Sequence, residues 1–314
     1  MTDAAPWRRD AHAGDDSPYA GLPVPDETAA RDHRTLTYEV DGRVARITFD
    51  RPDHGNAITA DTPVELADAV ERADLDPRVH VMVVSGRGKG FCGGYDLAAF
   101  AEQAIPNHDP AKTWDPMVDY AMMSRFTRGY ASLLHADKPT VAKIHGFCVA
   151  GGTDIALHCD QIVIAADAKI GYPPTRVWGI PSAGLWAHRL GDQKAKRLLL
   201  TGDCLSGREA AEWGLAIEAP EPEDLDERTE VLVQRIAAMP VNQLMMVKLA
   251  LNSALLAQGV QTSRMVSTVF DGISRHTREG YSFAARAAEV GFKQAVAERD
   301  AAPYDDSGPS TNKG

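Results

Sequence analysis

His145-Gly-Phe-Cys-Val-Ala-Gly-Gly-Thr-Asp154 joins three kinds of structure within a few residues. It follows the segment from Thr140, which reads as a strand ending at His145. Gly146 and the Ala150-Gly151-Gly152 run mark a turn, and the residues from about Gly151 to Cys159 read as a helix. A second strand, Gln161 to Ala165, comes next. Strand, glycine-rich turn, helix and strand in succession specify a layered α/β fold.

The same order recurs upstream. Leu36, Tyr38 and Val40 alternate, as do the residues from Val44 to Phe49, and Asp41-Gly42 between them marks a hairpin turn. A helix is expected from Asp61, with Asp61 or Thr62 as cap, Pro63 in its first turn, and Leu66, Ala69, Val70 and Ala73 on one face. A buried strand from Val79 to Ser85 follows. Beyond Ile180-Pro181 the pattern turns helical: Lys194 to Leu200, Ser206 to Trp213, Pro222 to Met239, Asn242 to Gln258, and a last stretch from Thr262 to Glu298. The reading is an α/β core over 34–218 and a helical region over 219–302, between mobile tails at 1–33 and 303–314 that are polar and aperiodic.

At 314 residues and 44% hydrophobic content the chain can bury a full core. Its net charge of −11 argues against a nucleic-acid surface, which needs clustered cations. Cys92, Cys148, Cys159 and Cys204 form no CxxC pair and have no His at ligand spacing, so neither a metal site nor a disulfide framework is expected. The first twenty residues contain no apolar signal core, and no run approaches the ~18 apolar residues of a membrane span. The expectation is a soluble cytoplasmic protein without nucleic-acid or membrane partners.

Four segments, in order and at characteristic spacing, resemble the crotonase (enoyl-CoA hydratase/isomerase) family: Arg51-Pro-Asp-His-Gly-Asn-Ala-Ile58, Gly88-Lys-Gly-Phe-Cys-Gly-Gly-Tyr-Asp-Leu97, the stretch 145–154, and Thr201-Gly-Asp-Cys-Leu-Ser-Gly-Arg-Glu-Ala-Ala-Glu-Trp-Gly-Leu215. The resemblance spans roughly residues 36 to 300. It implies a spiral of ββα repeats with a C-terminal α-helical region, assembled as a homotrimer or hexamer, and an acyl-CoA substrate whose coenzyme A arrives with the acyl group, no cofactor being permanently bound. Fatty-acid metabolism is the setting it suggests.

A thioester becomes easier to attack or deprotonate when the charge that develops on its oxygen meets preorganised donors. By resemblance the backbone N–H groups of Tyr95 and Gly151 form that oxyanion hole; glycines beside them allow close backbone approach, though each run alone would serve equally as a turn. Asp154, one helical turn beyond Gly151, is the catalytic carboxylate where hydratases of the family carry Glu, unless it merely complements the helix dipole. Its shorter side chain withdraws the charge by roughly 1 Å, a displacement that matters in a catalytic site. The second hydratase Glu aligns with Pro174, which cannot transfer a proton. Candidates to replace it are Tyr172, Thr175, Arg176 and His145. His145 could act as a base, although a histidine at a strand end more often makes a structural hydrogen bond. Arg176 could clamp an acidic acyl group, pair with Asp154, or be a solvated surface residue.

Arg51, Lys89 and Lys293 are the cations expected near coenzyme A, with Phe91, Cys92 and Gly93 of the second segment beside it; ordinary surface solvation is the alternative for the cations. Tyr95 and Trp178 are candidate aromatic walls of an acyl pocket, and the Met-rich stretch from Ile105 to Tyr130 its adaptable lining, with plain core packing the alternative for both. The missing carboxylate keeps two other readings open: a CoA-thioester or β-diketone hydrolase in which Asp154, with or without His145, activates water, and a catalytically silent acyl-CoA-binding member.

Overall fold

The computed structural model describes residues 33–97, 108–109 and 111–301, with backbone pairing at 304–305 and 308–309. The expected N-terminal tail, apart from His33, and the start of the Met-rich stretch at Ile105 lie outside the described residues. Within the C-terminal tail, expected to be mobile, Tyr304–Asp305 pairs antiparallel with Gly308–Pro309.

β1 (Leu36–Asp41) and β2 (Val44–Phe49) form the hairpin, turning at Gly42 with φ of 57°, where a side chain would be strained. β2 buries Val44, Ala45, Ile47 and Phe49. It pairs in parallel with β3 (Val81–Gly86), and a parallel pair requires a crossover. That crossover is α1 (Thr62–Leu75), which buries Leu66, Ala69, Val70 and Ala73 as its periodicity predicts. β3 in turn pairs with β4 (Thr140–Ile144) across α2 (Pro116–His135). β4 pairs with β6 (Gln161–Ile164) across β5 (Phe147–Val149) and α3 (Gly151–His158).

A second sheet runs β5, β7 (Lys169–Gly171), β8 (Cys204–Ser206). Parallel bridges at Cys92–Cys148 and Ile58–Tyr95 carry its pattern into the earlier passes. Each pass therefore leaves a strand in the first sheet, a shorter one in the second, and usually a helix. Short strands of three residues give too little alternation to be seen in sequence.

The helical region contains α4 (Ala183–Leu190), α5 (Asp192–Thr201), α6 (Gly207–Trp213), α7 (Leu225–Ala237), α8 (Val241–Ala257), α9 (Val260–Arg275), α10 (Arg278–Val290) and α11 (Phe292–Asp300). The stretch read as continuous from Thr262 to Glu298 is three helices. Thr277 caps the middle one by accepting from Gly280 N at 3.0 Å, and Gly291 breaks the next junction with φ of 86°. α9 packs on both α2 and α4. That contact holds a buried ion pair: Arg275 donates to Asp271 at 2.6 Å and to Asp119 of α2 at 3.2 Å. Asp119 also accepts from Trp114 Nε1 at 2.8 Å and lies 3.1 Å from His276 Nε2.

Candidate active site

The two glycine runs lie side by side. A Cβ on Gly94 would fall 2.6 Å from Ala150 Cβ and 3.4 Å from Gly151 N, and one on Gly152 would fall 2.5 Å from the Cys92 carbonyl. Gly151 itself lies against Tyr95, its Cβ position 3.0 Å from Tyr95 Cε2. The backbone at 93–95 and at 150–152 can approach this closely only without side chains. Ala150 carries φ of 53° and ψ of −131°, an unusual conformation for a residue with a Cβ, and is held in it by Ala150 N donating to Gly171 O and by Thr153 donating twice to its carbonyl. Gly151 then opens α3, where an N–H has no intrahelical acceptor.

Beside these turns lies a cavity of about 270 Å³. Gly93, Tyr95, Val149 and Ala150 form one side. Met122, Met123 and Phe126 of α2 form another, with Trp178 and Phe283 opposite, so the walls are mostly apolar. Phe126 meets Tyr95 edge-on at 5.5 Å, and Trp178 packs on Phe283 at 5.3 Å. Of the Met-rich stretch, Trp114 instead serves Asp119, and Met117 is exposed.

Asp154 is 4% exposed and accepts from Ser182 N at 2.8 Å. Burial pushes its carboxyl up to about 7; hydrogen bonds from Ser182 oppose the rise and the nearby Asp271 charge adds to it. Asp154 does not line the large cavity. It opens instead on a small pocket of about 10 Å³ that it shares with Tyr95, Tyr172, Ser182 and Asp271. Tyr95, Tyr172 and Asp271 border both spaces.

Asp271 and Arg275 were not singled out in the sequence. Both are buried and line the large cavity, and Asp271 also accepts from Ile180 N at 3.1 Å. Their i, i+4 spacing was the available signal. It is weak, because such pairs are usually solvated, and only the packing of α9 on α2 turns this one inward.

The structure separates the other candidates. His145 does not line the cavity; its Nε2 lies 2.9 Å from the Gly88 carbonyl, and no hydrogen bond joins it to Asp154. Arg176 approaches Asp203 and Asp300, each at 3.5 Å, and donates to the Thr201 carbonyl at 3.1 Å; it makes no pair with Asp154. Arg51 is committed to Asp96 at 2.8 Å and to the Ala57 carbonyl at 2.6 Å. The Phe91 side chain is fully buried, edge-on to Phe49 at 5.6 Å, and Cys92 is fully buried with its thiol pushed up to about 12 by desolvation. Both are scaffold, and only Gly93 of that trio borders the cavity. Lys89 and Lys293 are exposed. Pro174 lines the cavity, so no carboxylate stands at that position, and Tyr172 beside it is buried.

Repeated strand–strand–helix passes, two juxtaposed glycine turns and a helical C-terminal region define the crotonase class of fold. The chain belongs to the enoyl-CoA hydratase/isomerase family, whose model matches residues 39–287. It is 31% identical to a "probable enoyl-CoA hydratase" of Rhizobium meliloti, over 74% of this chain and 88% of that one. Among solved structures it is similar to an enoyl-CoA hydratase from Mycobacterium smegmatis, at 71% identity and TM-score 0.82, covering 85% of this chain and 93% of the other. It is also similar to an enoyl-CoA hydratase/isomerase from Xanthobacter autotrophicus, at 29% identity and TM-score 0.77, covering 86% and 98%.

Proposed function

We propose that this protein processes acyl-CoA thioesters by holding the thioester carbonyl between the N–H groups of Tyr95 and Gly151 and stabilising the enolate, with hydration of an enoyl-CoA as the reaction. The observation that carries this is the close approach of Gly94 to Gly151 N at the edge of an apolar cavity. Two amides converging on one oxygen form an oxyanion hole whose dipoles are fixed before the charge develops. Asp154, buried one turn along α3, carries one of the two proton transfers that hydration needs.

The walls formed by Met122, Met123, Phe126, Trp178 and Phe283 suit an apolar acyl group. Coenzyme A enters as part of the substrate, and Lys89, exposed four residues before Gly93, faces its phosphates. The hydrolase reading has Asp154 activate water with or without His145, and the Gly88 contact of His145 supports only the version without it. Self-association as a homotrimer or hexamer is supported by apolar residues left exposed on α8 and α9, among them Leu251 at 68% and Phe270 at 53%. No described helix is long and apolar enough to cross a membrane.

The test is mass spectrometry of the protein with crotonyl-CoA and with longer, cyclic and β-keto acyl-CoAs, beside Gly151→Pro and Gly151→Ala. Proline is tolerated in a helix's first turn but lacks the N–H, while alanine controls for the added Cβ. Water addition that falls about a hundredfold or more further in the proline variant than in the alanine variant is expected. Free CoA as product, or equal activity in the two variants, refutes the reading.

A further inference from the structure

Resting on the hydration reading above, we infer that Asp271 is the second catalytic carboxylate, supplied by the C-terminal helix α9 in place of the side chain that Pro174 cannot provide. It is 6% exposed and borders both the acyl cavity and the small pocket that holds Asp154. Both of its oxygens are oriented, Oδ1 by Ile180 N at 3.1 Å and Oδ2 by Arg275 at 2.6 Å. Ile180 belongs to the very segment that carries the second Glu in hydratases, so Asp271 is anchored to the loop whose task it takes over.

The small pocket, at about 10 Å³, is close to the volume that admits a single water, and Asp154, Asp271 and Ser182 are polar groups around it. A second observation points to a ligand. Arg275, 9% exposed and lining the acyl cavity, leaves its Nε without a hydrogen-bond partner, a donor available to an oxygen entering the cavity.

The chemistry balances across the pair. One carboxylate takes a proton from water as the water oxygen bonds to Cβ, and the Cα=Cβ pair moves onto the thioester oxygen. The other, protonated, gives its proton to Cα as that pair returns, and the first passes its proton to the second through the shared pocket. The groups that face this exchange are Tyr95, Tyr130 and Tyr172, whose hydroxyls burial keeps protonated, together with Arg275, Asp119 and His276. Burial and the charge of Asp271 hold Asp154 near 7, so it can carry a proton at neutral pH.

The experiment compares wild type, Asp154→Asn, Asp271→Asn and Asp271→Glu for hydration rate, for binding of saturated butyryl-CoA, and for exchange of butyryl-CoA α-hydrogens in D2O. Expected is a loss of hydration of about a hundredfold to ten-thousandfold in both Asn variants, with butyryl-CoA affinity within about threefold of wild type. α-Exchange should be lost in only one of them, since the carboxylate that handles water is not needed at Cα. If Asp271→Asn does not fold, Asp271→Glu, whose carboxylate is displaced by roughly 1 Å, should still lose about a hundredfold in hydration while binding butyryl-CoA. A wild-type protein without turnover refutes the reaction and this assignment with it. An active wild type with Asp271→Asn or Asp271→Glu hydrating at a similar rate overturns the assignment alone, as does loss of hydration, binding and exchange in parallel.

Discussion

Asp154→Asn should make the protein more stable at alkaline pH while removing its activity. The carboxyl titrates near 7 in the fold against an ordinary value of 3.8, chiefly because it is desolvated. A carboxyl raised in this way contributes stability that is fully present below 3.8 and is lost as pH rises through 7, because the unfolded chain gives up its proton first. Over that interval the penalty for the buried charge reaches about 4 kcal/mol. Between pH 5 and pH 9 the sweep covers about 3 kcal/mol of it, equivalent to roughly 6 °C in Tm for a chain of this size. Asparagine keeps an oxygen for the Ser182 N–H and has no charge to bury. Any constant cost of its amide shifts the variant's curve without changing its slope, and the remaining titrating groups are common to both proteins. Calorimetric melting of wild type and variant from pH 5 to pH 9 is the assay. A Tm difference that moves toward the variant as pH rises is expected. A difference independent of pH would show that Asp154 is already ionised and solvated, and would refute the placement of this carboxyl in a closed pocket.

Lys89→Ala should raise KM for CoA thioesters by about fivefold at low salt, the scale of one exposed charge contact, and leave kcat unchanged. The same variant should be indistinguishable from wild type with a pantetheine thioester that lacks the nucleotide phosphates; an equal effect on both substrates counts against Lys89 as a phosphate contact. Phe270→Asp should convert the assembly to monomers in sedimentation, because it places a charge in the exposed apolar stripe of α9. An unchanged sedimentation coefficient would remove that stripe from the interface.

The strands and helices of the core were legible because each shows its period over enough residues. Val81 to Val84 is continuously apolar and Thr62 to Leu75 repeats its buried face every turn, while the second sheet is assembled from strands of three residues that carry no period at all. The glycine runs at 93–94 and 151–152 were legible for a different reason, since glycine beside a helix start reports close backbone approach wherever the chain goes next. Side chains whose surroundings come from distant elements were not. His145 and Arg176 carry suitable chemistry and sit near the motifs in sequence, yet Gly88 and the Asp203–Asp300 pair claim them. Asp271 lies 117 residues beyond Asp154 in the chain. Its approach to Asp154 depends on α9 crossing α2 with Arg275 between Asp271 and Asp119, a contact that no local pattern announces.

With Asp271 as the proposed second carboxylate, self-association would tie assembly to chemistry. α9 presents Asp271 and Arg275 on its buried face and Met265, Val266 and Phe270 on its exposed face. A loop carboxylate at 174 would be placed by the core alone, whereas one on α9 is placed only as well as α9 is held. Inside the chain that support is the ion pair to Asp119, which is costly to desolvate and strongly destabilising if half of it is removed. Outside the chain it is whatever covers the apolar stripe. Burying Phe270 against another copy would therefore immobilise the helix that carries Asp271. Phe270→Asp should accordingly lower hydration by about tenfold in the monomer it produces, a loss of roughly 1.4 kcal/mol of transition-state stabilisation from a residue that never meets the substrate. A fully active monomer would show that α2 and α4 hold α9 in place without a partner.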